Sequence, residues 1–323
     1  MRKTKVRFAL FNILFAIILV AVIAINVVAV NYSTALELFF GSVGGEQGES
    51  YENEDELLAA EIAFTDTVVD EGSVLMYNNE NALPLDSGAS VSIFSQSCRE
   101  WITNGTGSSS VATSEYSDRN LKTSLESAGF TVNETLWDFY GENGQGRGTG
   151  GSGQAADWSL NENPWSEVEA ACGDSFADYS DAAVMIISRT GGEGADVPRE
   201  MSRYDGTADE HYLELSSTEK EILRGIQEAG FEKTIVIINA GNAMEMSFLD
   251  EEDLGVDAVL WVGGTGYNGV EEVGKLLSGE VNPSGHLVDT YVNDSFSSPA
   301  MQNFGDNRYM STSGEVLDSG YSY

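Results

Sequence analysis

Glu193 lies in the run Arg189-Thr190-Gly191-Gly192-Glu193-Gly194-Ala195-Asp196, with glycine on both sides. A carboxyl group held on such a loop can donate or accept a proton at a reacting oxygen. By spacing alone, a loop glutamate is most often a solvated surface charge. A second pattern, Gly264-Thr265-Gly266-Tyr267-Asn268-Gly269, has the G-x-G-x-x-G spacing that cradles a pyrophosphate. That fingerprint belongs in the first βα unit of its domain, with an acidic residue about 20 positions on at the end of the next strand. Here it falls in the last βα unit, and the acidic residue near that distance, Glu280, lies in a turn. The spacing therefore does not support a dinucleotide site. The two histidines, His211 and His286, are far apart, so no His-rich metal site is expected, and no cofactor. Cys98 and Cys172 form no C-x-x-C pair; one disulfide and two free thiols both remain open. No G-x-S-x-G is present, which excludes the serine-hydrolase elbow.

The elements that must carry these residues are legible as apolar runs. Val91–Ser95, Ala182–Ser188, Thr234–Asn239 and Ala258–Val262 are short, rich in Val and Ile, and do not alternate. That pattern predicts parallel strands covered on both faces. Helical stretches separate them. One has a capping box, Ser216 with Glu219, then Ile222, Leu223, Ile226 and Ala229 on one face and Gly230 at its end. Another helix is expected over 54–78, with Leu57, Leu58, Ile62, Val68 and Val69 facing the core, and Pro84 as a firm stop. The glycine-rich segment 141–153 reads as a low-complexity, disordered loop. The alternation of strand and helix predicts an α/β fold, a three-layer sandwich with a mostly parallel sheet. Ligands of such sheets bind beyond the carboxyl ends of the strands. Small-residue loops follow each strand there: Cys98–Ser110, Arg189–Asp196, Ala240–Met244 and Gly263–Gly269.

One transmembrane helix is expected to precede this domain. Arg2, Lys3, Lys5 and Arg7 stand before an uncharged run from Phe8 to Val30, long enough to cross a bilayer. The basic residues would stay in the cytoplasm and the domain outside, at the cell membrane as a single-pass protein. Val27-Val28-Ala29 offers a weak cleavage site, and cleavage there would make the protein secreted. The expected organisation is a basic tip and anchor at 1–35, an acidic flexible linker at 36–53, the α/β domain at 54–292 and a tail at 293–323. Asp and Glu number 52 against 16 Lys and Arg, a net charge of −36, so nucleic acid is excluded as a partner.

Five blocks, in order, resemble the α/β sandwich domain of family 3 glycoside hydrolases, the β-glucosidase type. They are Glu71-Gly72-Ser73-Val74-Leu75-Met76-Tyr77-Asn78-Asn79-Glu80-Asn81-Ala82-Leu83-Pro84-Leu85, the segment Ile187–Asp196 around Glu193, Ile237–Glu245, Trp261–Gly266 and Gly279–Leu287. The resemblance implies that Glu193 is the general acid/base of a retaining glycosidase, in which two carboxyl groups lie about 5–5.5 Å apart. It implies a β-glucoside-like carbohydrate as substrate, and a nucleophilic aspartate on a separate (β/α)8 barrel. Such a barrel needs about 250 residues by itself, and the sandwich uses nearly all of this chain. The barrel is therefore expected on another polypeptide or on a missing part. The isolated chain is expected to supply the acid/base without the nucleophile; the alternative is a non-catalytic, membrane-tethered module that binds carbohydrate or a partner. Members often carry a Gly-Thr-Gly-Ser-Gly run in the first loop, where this chain has Gly105-Thr106-Gly107-Ser108-Ser109. Those four leading residues, with Trp101, Arg189 and Asp196, are the expected sugar-binding set. For Trp101, packing and stacking on a sugar ring are both open readings.

Overall fold

The computed structural model describes residues 2–33, 51–105, 119–150, 156–191, 197–298 and 301. The chain divides into two units, 1–58 and 59–323, each described here by itself.

In the first unit, helix α1 (Arg2–Asn31) is continuous and its apolar side chains are exposed. Its apolar stretch, Val6–Asn31, has 26 residues. At 1.5 Å per residue that is about 39 Å, longer than the roughly 30 Å hydrocarbon core. Length and composition suit a membrane span; a secretion signal passes the same test.

The second unit is built on a six-stranded sheet. Helix α2 (Glu54–Gly72) leads into strand β1 (Val74–Asn78). Then follow β2 (Ser90–Phe94), α3 (Leu121–Ser127), β3 (Thr131–Val132), α4 (Glu134–Asn143) and α5 (Trp165–Phe176). The rest is β4 (Ala182–Arg189), α6 (Ser217–Ala229), β5 (Thr234–Ala240), β6 (Ala258–Trp261) and α7 (Glu272–Ser278). The strand order is β1-β6-β5-β4-β2-β3. All neighbours are parallel except β1, which runs antiparallel to β6 on the edge.

Every residue of β4 and β5 is buried, which requires cover on both faces of the sheet. The connections supply it. The link from β2 to β3 moves one way across the sheet, and those from β3 to β4 and β4 to β5 move the other way. Crossovers between parallel strands are right-handed, so α3 lies on one face and α4, α5 and α6 on the other. The packing agrees, because α3 packs against α7, and α5 packs against both α4 and α6. Two glycines let helices approach closely. A side chain at Gly274 would meet the backbone oxygen of Ser124 at 2.3 Å, and one at Gly225 would meet the Trp165 ring at 2.0 Å.

The four expected strands lie within one residue of their predicted bounds. Three local expectations are corrected. The helix over 54–78 ends at Gly72, where the amide and hydroxyl of Ser73 both donate to the Val69 carbonyl. Val74, Leu75 and Tyr77 then pair with β6, a tertiary contact that overrides the helical pattern. Of the core positions assigned to that helix, Val69 is buried while Leu57 and Val68 are exposed. Within 141–153, residues 141–143 end α4, and the next stretch is anchored rather than loose. Gly148 and Gly150 donate to Ser159 and Asp157, and Arg147 binds the Ser97 hydroxyl and the Glu100 carbonyl. Ala229 is exposed, although the capping box of Ser216 and Glu219 and the left-handed Gly230 (φ 80°) are as expected.

Candidate active site

The point where the connections reverse direction lies between β2 and β4, and sheets of this type bind ligands at the carboxyl ends flanking such a reversal. Here the edge is formed by residues 95–105 after β2, Thr190 and Gly191 after β4, Gly241–Met246 after β5 and Val262–Asn268 after β6.

Asn239, near the end of β5, ties this edge together. Its side chain is fully buried, and its amide makes four hydrogen bonds. Oδ1 accepts from the Ile102 amide at 2.7 Å and the Ser188 hydroxyl at 3.1 Å. Nδ2 donates to the carbonyls of Ile102 at 2.9 Å and Gly263 at 2.6 Å. One side chain thus fixes the loops after β2 and β6 and the end of β4. The loops after β2 and β6 also grip each other directly. Trp101 Nε1 donates to Thr265 Oγ1 at 2.9 Å, Asn104 Nδ2 to the Tyr267 hydroxyl at 3.0 Å, and Gly266 N to the Thr103 carbonyl at 2.7 Å. Gly263 (φ 60°) and Gly266 (φ 65°) adopt the left-handed turn that this docking needs. Packing therefore explains the glycine pattern at 264–269: a side chain at Gly264 would meet the Thr103 backbone at 3.3 Å, one at Gly266 the Thr65 methyl at 3.2 Å and one at Gly269 the Val69 side chain at 2.4 Å.

Arg189, the last residue of β4, is placed in the interior. Its guanidinium is bidentate to Glu219 at 2.8 and 2.6 Å and also donates to the carbonyls of Ser188, Tyr212 and Glu214. All five of its N–H groups are used, so none is left for a sugar. Glu219 at the same time closes the capping box of α6, accepting from the Ser216 amide at 2.8 Å. The pair thereby bolts the end of β4 to the start of α6. The Tyr212 hydroxyl accepts from Thr190 N at 2.8 Å and carries the support one residue further towards Gly191.

Glu162 performs a similar task at the end of β2. Ser95 there has φ 81°, a strained left-handed backbone for a non-glycine residue. Glu162 accepts from the Ser95 hydroxyl at 2.5 Å and the Gln96 amide at 3.0 Å, holding the turn. The residue keeps some exposed surface, but its carboxyl is enclosed. Burial foremost, then the charge of Glu219, pushes that carboxyl up to about 7, against the pull of its two donors and Arg189.

The donor atoms of His211, Glu214 and Glu245 lie within 4.8 Å of one another, spacing that could suit a metal ion. The hydrogen bonds favour another role. His211 Nδ1 accepts from Leu213 N at 3.2 Å, which leaves the ring proton on Nε2, and Nε2 donates to Glu245 Oε1 at 2.9 Å. Glu245 also accepts from the Ser295 amide, so the His211–Glu245 pair latches the exit segment of the chain onto the loop after β5.

Of the expected sugar-binding residues, Trp101 is half-buried in the docked loop and Gly105 is exposed. Thr106, Gly107, Ser108, Glu193 and Asp196 lie outside the described residues. Cys98 and Cys172 are buried free thiols, and burial raises both. Asn239 and Glu162 were not singled out from sequence. The available signal for Asn239 was a lone polar residue closing the apolar run Ile235–Ile238, while Glu162 gave none.

A doubly wound sheet with a stapled loop edge is a fold that hosts many functions; the relatives narrow it. The family model described as "Glycosyl hydrolase family 3 C-terminal domain" matches residues 73–323, and the chain belongs to that family. It is 32% identical over 261 residues to a β-glucosidase of Ruminococcus albus, covering 78% of this chain and 25% of the relative. It is 27% identical to β-glucosidase A of Butyrivibrio fibrisolvens, covering 78% of this chain and 31% of that one. Among solved structures it is similar to a β-glucosidase from Paenibacillus barengoltzii, with a TM-score of 0.62 and 28% identity over 76% of this chain and 25% of the other. A fold likeness at TM-score 0.61 and 24% identity extends to β-glucosidase 3B of Thermotoga neapolitana in complex with glucose, over 82% of this chain and 35% of that one. The chain thus spans about a quarter to a third of the relatives it matches. Among the described residues no barrel domain is evident.

Proposed function

We propose that these 323 residues form the acid/base-bearing part of a β-glucoside hydrolase, held at the membrane surface, with Glu193 as the proton donor and a (β/α)8 barrel, on the same or another polypeptide, supplying the nucleophile. The observation that carries this is the construction of the β4 end. Buried Arg189 and Glu219, with Tyr212, hold the end of the strand and Thr190, three positions before Glu193 in sequence. A proton donor must be positioned to well under an ångström, and such rigid support favours positioning. In this reading Glu193 protonates the glycosidic oxygen and then takes a proton from water. Trp101, Gly105, Thr106, Gly107, Ser108 and Asp196 border the sugar, while Arg189 acts by positioning. The likeness to β-glucosidases supports a carbohydrate substrate. The domain limits proposed remain 1–35, 36–53, 54–292 and 293–323, with α1 as a single-pass anchor and the sandwich outside the cell.

Hydrolysis by double displacement needs two carboxyl groups in different states, and Glu193 supplies one. The test is an assay of the full chain, reconstituted in nanodiscs, on a chromogenic β-glucoside, alone and with a family barrel domain added. Turnover is expected only with the barrel and is expected to vanish in Glu193→Gln. Turnover by the chain alone would mean that it holds its own nucleophile. Carbohydrate binding with no turnover in either case would favour the non-catalytic module.

A further inference from the structure

Two carboxamides interrupt the apolar stretch of α1. Asn12 is the seventh residue of Val6–Asn31, and Asn26 is the sixth from its end. A hydrocarbon core of about 30 Å takes up about 20 residues. Only about three residues at each end then fall outside a centred core, and both asparagines fall within it. They stand 14 residues apart, which is four helical turns to within about 40°, and about 21 Å along the axis. Both therefore lie on one face, with Leu19 midway between them. The same spacing is two heptads. Asn12, Leu19 and Asn26 take one seam position, and Phe15, Val22 and Ala29 take the other. All six side chains are exposed on the helix.

A carboxamide has two N–H donors and an oxygen that accepts twice. Asn26 Nδ2 spends one N–H on the Val22 carbonyl of its own helix, at 2.8 Å. Lipid tails offer neither donor nor acceptor for the rest, and an amide in hydrocarbon without partners costs free energy.

We infer that α1 pairs in the membrane with α1 of a second copy, side by side and parallel, through the seam of Asn12, Leu19 and Asn26. This rests on the reading of α1 as an uncleaved membrane anchor. A second copy is the occupant that the spacing fits. Copies of a single-pass protein enter the bilayer in one orientation, set here by the basic flank of Arg2, Lys3, Lys5 and Arg7. A two-fold axis between them sets Asn12 against Asn12 and Asn26 against Asn26. Each carboxamide both donates and accepts, so it complements its own copy. A partner of different sequence would need two amides at the same separation and depth. Asparagine on such a seam fixes register and strand number. In lipid, where apolar burial does not drive helices together, hydrogen bonds and close packing across the seam do. No charged residue lies between Phe8 and Val30 to oppose the contact. The acidic surfaces of two copies repel, but exposed charges are largely screened beyond about 8 Å at physiological ionic strength, and residues 32–53 separate α1 from α2 in the chain. Pairing holds two copies of the α/β domain at one point of the membrane, at an effective concentration far above that in bulk.

The test is oxidative crosslinking of the full chain in isolated host membranes, with copper phenanthroline as an oxidant that enters lipid. Leu19→Cys, on the seam, is expected to give a disulfide-linked species of twice the chain's mass. Ile17→Cys, about 160° away around the helix, is expected to give at least about fivefold less. Cys98 and Cys172 are buried, so the parent chain should give no such species. In the Leu19→Cys background, Asn12→Leu with Asn26→Leu should lower the yield at least about fivefold while membrane retention is unchanged. Asn12→Gln with Asn26→Gln should keep most of it. Equal yields at positions 19 and 17, indifference to the loss of both asparagines, or a crosslink to a protein of another mass would overturn the pairing. Alkaline carbonate washing separates the two readings. If the chain is released and lacks its N-terminal residues, the anchor reading fails, and the pairing with it. If the chain stays in the membrane without the seam-specific crosslink, the pairing fails alone.

Discussion

At the scale of single residues, the site edge depends on groups whose hydrogen-bonding capacity is fully used inside the protein. Asn239 is the clearest case, since its two donors and two acceptor sites face four partners in three segments. Asn239→Asp keeps the shape but turns both donors into acceptors facing the carbonyls of Ile102 and Gly263. A buried polar group left unsatisfied costs about 1–3 kcal/mol, so two of them predict a loss on the order of 2–5 kcal/mol. Urea denaturation would read it, and the amide signals of residues 101–104 should shift more than those of α5. A loss within experimental error would show that the staple contributes nothing. Arg189 follows the same logic with charge added. A buried ion pair broken on one side leaves the other charge without compensation, which is why this arginine belongs to the scaffold and not to the sugar.

At the scale of elements, two carboxyl groups pinned between segments make the fold sensitive to pH. Glu162 holds the turn after β2 and is pushed up to about 7, mainly by burial. Asp70 of α2 is raised to about 6, by burial first and then by its hydrogen bond to Glu272 of α7. For both, the folded protein binds the proton more tightly than the unfolded chain, whose ordinary values are 4.5 and 3.8. Their stabilising contribution is complete below those ordinary values and is lost as pH rises through about 6 for Asp70 and about 7 for Glu162. The urea midpoint should therefore fall between pH 5 and pH 8. Glu162→Gln should flatten the upper part of that fall and Asp70→Asn the lower part. A midpoint that holds steady or rises over this range in the parent chain would contradict both assignments.

At the scale of the whole molecule, the charge balance and the leading helix lead to tests of where the domain works. A surface of net charge −36 disfavours self-association and anionic partners. The proposed anchor makes a direct prediction. Expressed in a bacterial host, the chain should remain in the membrane pellet after alkaline carbonate washing and should keep its N-terminal residues. External protease should remove the domain from intact spheroplasts. A soluble product beginning near Val30 would mean that α1 is a cleaved signal and the domain is secreted.

Much of this protein could be read from the order of its residues. Runs such as Ala182–Ser188 and Thr234–Asn239 read as buried parallel strands, because short apolar stretches without alternation, rich in Val and Ile, suit cover on both faces. The capping box at Ser216 and Glu219 and the left-handed Gly230 are local, so sequence alone determines them. The family blocks are likewise contiguous. What only the tertiary structure decided was non-local. Val74–Asn78 became a strand because β6 offered an edge, not because of its own pattern. Arg189 was drawn inward because Glu219, 30 positions later, folds back beneath it. Glu162 and Asn239 gained their roles from partners 66 and 137 positions away. A sequence states which groups a chain carries, but burial and pairing arise only when distant segments meet, and these decide which carboxylate holds a proton and which amide staples a site.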